Sequence, residues 1–133
     1  MTRARVQKVE SDRVAASELI VQARAHMASA RLDGIDAQSA YGIAYQAALK
    51  AMVATLLADG LRVGSGAGGH TVTIKEAGER LGLDPTVAAR IDHLRRTRHR
   101  VFYDGDEVSE LELAGAIADA EVVVAAAAEA IDG

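Results

Sequence analysis

The stretch LRRTRHRVFYDG, residues 94–105, decides how this chain is read. Wound as a helix, Val87, Ile91, Leu94, Val101 and Phe102 fall along one face at steps of three and four residues. Arg98 lies on the same face, where a leucine would continue the stripe. A buried guanidinium without a partner is strongly unfavourable, so either a carboxylate meets Arg98 or this face lines a cleft where a cation is wanted.

The pattern around that stretch is helical in both directions. Asp84-Pro85 supplies an N-cap and a first-turn proline for the helix that carries the arginines, and Asp104-Gly105 closes it. The last helix repeats Leu113, Ile117, Ala120, Val124, Ala127 and Ile131 at alternating steps of four and three, a seam for packing along a neighbour. Upstream, Ser11 is the expected cap of a first helix running to about Leu32, with Val14, Leu19, Val21 and Met27 among its apolar positions. A second helix from Asp36 to about Ala58 is apolar almost all round and is expected to be the central element. A short helix follows from about Thr73 to Leu81, and no segment reads as a strand. The expectation is an all-α fold, an antiparallel helical bundle of four longer helices plus one short helix, in a single domain over residues 1–133. Residues 1–10 read as a flexible arm and residues 62–71 as a glycine-rich loop.

Size and composition agree with that reading. A chain of 133 residues buries enough surface for a core without staples, and it contains no cysteine, so disulfides and thiolate metal sites are excluded. The charged N-terminus, MTRARVQKVESDR, has no apolar signal-like region, and no run approaches the ~18 apolar residues of a membrane span, so a cytoplasmic location without membrane contact is expected. The net charge of -4 argues against a protein that binds nucleic acid over its whole surface. Its distribution is uneven. Arg90, Arg95, Arg96, Arg98 and Arg100 crowd beside His93 and His99, whereas residues 104–133 contain acidic groups and no lysine or arginine. The basic helix and the acidic helix can pair with one another as ordinary surface charges.

Two local motifs bear on function. GSGAGGHT, residues 64–71, has the spacing of a phosphate loop, but His70 stands where lysine is required and no strand is expected before it, so it reads as a mobile connection or flap. The four histidines, His26, His70, His93 and His99, form no two-histidine helical pair with a glutamate between them, and no metal or cofactor is expected. TIKEAGERLGLDPTVAARIDHLRR has the outline of a helix-turn-helix, with Gly78 at the packing position, yet Asp84 and Asp92 on the reading helix would be repelled by phosphate.

The segment RHRVFYDG, followed by EVSELELAGAIADAEVVVAAAAEAI, resembles the C-terminal half of a HEPN domain. ASELIVQARAHMASARLDG and AYGIAYQAALKAMVATLLADG are similar to the first two helices of that family, so the resemblance covers about residues 11–132. It implies a homodimer formed through a bundle face. It further implies a function among ribonucleases of toxin–antitoxin systems, or among non-catalytic members that bind nucleotides or proteins, many of them partnered by a nucleotidyltransferase-type antitoxin. The family motif is an arginine, four to six intervening residues and a histidine. Arg98 matches the arginine and His99 follows it, but after four intervening residues the chain presents Tyr103.

Metal-free RNA cleavage requires a group that takes the 2′-hydroxyl proton and a cation that stabilises charge on the phosphorane. By this resemblance Arg98, His99 and Tyr103 are the candidate catalytic residues. Arg98 supplies the cation, His99 is the remaining candidate base, and Tyr103 donates a hydrogen bond or stacks on a nucleobase. Arg95, Arg96 and Arg100 are the expected phosphate-binding rim, Phe102 is expected in the core, and Arg98 is placed on the floor of a symmetric dimer cleft. Three readings follow: a ribonuclease toxin, a non-catalytic HEPN module, and a helix-turn-helix regulator.

Overall fold

A computed structural model describes residues 2–133. Among them run β1 (Val6–Lys8), α1 (Arg13–Ala30), α2 (Ala37–Ala58), β2 (Leu61–Val63), α3 (Gly69–Leu81), α4 (Pro85–Asp104) and α5 (Glu110–Asp132). The fold is the all-α bundle expected, four longer helices and one shorter one, with a minimal two-stranded sheet added.

Local chemistry sets the helix starts. The Asp36 carboxylate accepts from the Ser39 N–H, Asp84 caps α4 with Pro85 in its first turn, and Ser109 with Glu112 forms a reciprocal capping box at α5. The expected cap Ser11 is corrected to Asp12, which accepts from Ala15. Ser11 instead donates its hydroxyl to the Ala58 carbonyl at 2.7 Å, tying the start of α1 to the end of α2.

α2 is the central element, packed most extensively against α1 and α5 and also against α3 and α4. Tyr41, Tyr45, Met52 and Leu56 are buried among its alanines. Its most apolar 18-residue window reaches a mean hydropathy of 1.2, enough by length and composition for a membrane span and more than expected of any segment here; neighbouring helices bury 72% of that window. α5 presents the expected seam, burying Ala120, Val124, Ala127 and Ile131 with Leu113 and Ile117 half-buried. On α1 the buried face is Ala16, Ile20, Ala23, Met27 and Ala30, while Val14 and Val21 are 73% and 68% exposed. The small residues on α1 follow the same four-three rhythm and allow close helix approach, so they take the inward face from the valines.

Three further expectations change. Val6–Lys8 pairs antiparallel with Leu61–Val63, so strands exist where none was expected and part of the N-terminal arm is ordered. The arm continues along the glycine-rich segment, with Ala4 N–H donating to Ala67 O and Ala67 N–H to Thr2 O. Gly66, at φ 133°, passes so close to this arm that a Cβ there would lie 2.7 Å from Thr2 O. α3 begins at Gly69, earlier than expected, which makes His70 helical. Phe102 is 54% exposed and not core: its ring lies over Gly42 of α2, where a Cβ would come within 2.5 Å of it.

Candidate Arg98 site

Arg98 reaches the fourth turn of α4 on the face that buries Ile91, Leu94 and Val101, so its side chain is directed at α2. No carboxylate meets it among the described residues. Its guanidinium carbon stands 4.8 Å from the centroid of the Tyr45 ring, over a phenol that is 0% exposed. A cation over an aromatic face is attracted by the ring quadrupole, by about 0.5–2 kcal/mol depending on desolvation. The interrupted stripe therefore finds an aromatic partner, and the charged head remains free to face a cleft.

The cleft is about 470 Å³ and is lined by Gly68, Gly69, His70 and Thr71 from the start of α3 and by Arg95, Arg96, Arg98 and His99 from α4. Arg95 and Arg96 share a single carboxylate, Asp92, at 2.9 and 3.6 Å. One carboxylate against three guanidinium groups leaves the cleft electropositive. Gly68 caps α3 in the left-handed conformation at φ 76° without a side-chain hydrogen bond, so the partial positive end of the helix adds to the same wall.

Below the cleft, the Tyr45 hydroxyl lies 3.0 Å from His70 Nδ1. Burial pushes the Tyr45 phenol up to about 12, partly opposed by Arg98 and Arg95, so it is protonated throughout the neutral range. Burial holds His70 below the usual imidazole value, and the nearby Arg98 and Arg95 charges act in the same direction.

The proposed site residues do not all gather in one place. His99 joins Arg98 in the cleft and stacks with Tyr103 at 4.6 Å between centroids, one turn further along α4. Tyr103 is 78% exposed and, with Arg98, His99 and Phe102, lines a second hollow of about 280 Å³. Arg95 and Arg96 line the cleft, whereas Arg100 does not. Among the described residues no group of three metal-ligating side chains occurs.

A family model for the HEPN domain matches residues 16–131. The chain belongs to the HEPN domain family. A search of curated proteins found no match. In this HEPN domain α4 carries Arg98 at the cleft and Tyr103, exposed, near the end of the helix.

Sequence reasoning missed Tyr45 and His70. Part of the signal was present in GSGAGGHT, but the loop was read without a preceding strand, and β2 does precede it. The strand, the glycine turn and α3 together bring His70 against α4.

Proposed function

We propose that this HEPN protein acts on RNA as a component of a toxin–antitoxin system. In this reading a homodimer brings two copies of Arg98 to one symmetric cleft, and a nucleotidyltransferase-type partner holds the protein in check. The observation that carries the reading is Arg98, free of any carboxylate among the described residues, in an electropositive cleft with Arg95, Arg96 and His99. Phosphodiesters bind such surfaces through charge-assisted hydrogen bonds, and guanidinium groups match phosphate oxygens in pairs.

For cleavage, the 2′-hydroxyl oxygen bonds to the adjacent phosphorus while the bond from phosphorus to O5′ breaks, leaving a 2′,3′-cyclic phosphate and a 5′-hydroxyl. His99 takes the 2′ proton, and its imidazolium returns a proton to O5′. Arg98 stabilises the charge that gathers on the phosphorane oxygens. Tyr103, exposed and stacked on His99, offers a face for a nucleobase.

The test is cleavage of labelled RNA by the purified protein in chelator, comparing the native chain with Arg98→Ala, His99→Ala and Tyr103→Phe. Loss of cleavage in Arg98→Ala supports the reading. Absence of cleavage in the native chain at every concentration overturns the catalytic part.

A non-catalytic module that binds RNA, nucleotide or protein is the second reading. It is favoured by Tyr103, an exposed phenol that stands where the resemblance calls for a histidine. The helix-turn-helix reading is disfavoured by Arg90, whose Nε lies 3.0 Å from both carboxylate oxygens of Asp119 on α5 and is thereby drawn away from DNA.

A further inference from the structure

We propose that His70, fixed through Nδ1 by the buried Tyr45 hydroxyl, is an anion ligand that presents its Nε2–H to a phosphoryl oxygen held by Arg98. This deepens the reading of the Arg98 cleft as a phosphate site and rests on it.

The argument begins with Tyr45. Its hydroxyl is enclosed, and His70 Nδ1 is its hydrogen-bond partner among the described residues. A buried O–H needs an acceptor, so the hydroxyl donates and Nδ1 accepts. A neutral imidazole that accepts at Nδ1 carries its proton on Nε2. The ring itself lines the cleft opposite Arg95, Arg96, Arg98 and His99. His70 therefore adds a neutral donor to a wall of cations, at a place fixed by the hydroxyl of a buried phenol whose ring face holds the Arg98 guanidinium.

The charged environment agrees. The charges that act on His70 are those of Arg98 and then Arg95; Arg96 and His99 line the same cleft from α4, Tyr45 meets the ring from α2, and Asp92 offsets part of the arginine charge. Without an anion these cations discourage a further proton on His70. An anion bound among them reverses the balance, so phosphate binding and protonation of His70 support each other.

The experiment follows the His70 ring nitrogens by NMR in the full-length protein, titrated from pH 8 to pH 5 with and without inorganic phosphate. The expected result is the Nε2–H tautomer at neutral pH, a midpoint below that of an exposed histidine, and a saturable rise of the midpoint with phosphate that Arg98→Ala abolishes. His70→Ala should weaken phosphate binding about tenfold, as for loss of a hydrogen bond to a charged group, while His70→Gln, which keeps a donor near the Nε2 position, recovers part of it. Tyr45→Phe should release the tautomer and leave the fold intact.

Resonances of His70 that ignore saturating phosphate, or an Nδ1–H tautomer, overturn the inference. If RNA cleavage still depends on Arg98 in that case, the functional reading stands and the role of His70 alone is lost. If His70 responds to phosphate and RNA is neither bound nor cut, the anion site stands and the RNA reading falls.

Discussion

The guanidinium of Arg98 and the ring of Tyr45 face one another at 4.8 Å, a charged group on α4 resting on the most enclosed tyrosine of α2. This contact lets a cation occupy an apolar helix face without a carboxylate, and it keeps the cation available to a ligand. Stability and ligand binding at position 98 are accordingly expected to separate.

Arg98→Leu tests that separation. Leucine restores the apolar stripe and loses a cation–π contact of about 0.5–2 kcal/mol, so urea unfolding should show a net change within about 1 kcal/mol of the native chain. RNA or phosphate binding should fall at least tenfold. A large loss of stability in Arg98→Leu would show that the arginine is chiefly structural.

Gly42 and Phe102 are coupled. A methyl group at Gly42 would meet the Phe102 ring at 2.5 Å, so Gly42→Ala alone should destabilise by about 1 kcal/mol as the ring is displaced. In a Phe102→Ala background the same change should stabilise by about 1 kcal/mol, because alanine is the better helix former. A double-mutant cycle by thermal unfolding reads the difference, and additive effects would refute the coupling.

Stability should fall as the solution is acidified through the histidine range. His70 and His26 are both held below their ordinary value, chiefly by burial and then by Arg98 with Arg95 and by Lys50 respectively. The unfolded chain therefore takes up protons first, starting near pH 6.5, and native stability is lost as pH drops through the lower folded values. Urea midpoints measured from pH 8 to pH 5 should decline, with a shallower slope in His70→Gln. An unchanged slope would remove His70 from the effect.

The N-terminal arm should hold the glycine-rich turn in place. Gly66→Ala combines a positive φ with backbone atoms of Thr2 and Ala4 within 2.8 Å of the added carbon, at an expected cost of about 1–3 kcal/mol. Hydrogen exchange should then lose protection at the Ala4 and Ala67 amides, which bridge the two segments. Full protection in the variant would show that the turn adapts without the arm.

How far the sequence could be read differs between the fold and the site. The helix starts at Asp36 and Asp84 and the α5 seam were legible because each depends on residues within one or two turns. The buried face of α1 was not legible because valine is more hydrophobic than alanine, yet close helix packing selected Ala16, Ala23 and Ala30 together with Ile20 and Met27. The strands were missed because three-residue segments carry too little periodicity to register.

The sequence by itself determined a bundle of helices, the order of those helices, and an arginine placed where the core expects leucine. Only the tertiary structure decided what that arginine meets. Periodicity and capping are local and can be read along the chain, whereas the approach of Arg98 to Tyr45 and of Tyr45 to His70 depends on how three helices cross. That geometry arises from the packing of α3 and α4 against α2, and no spacing within a single helix encodes it.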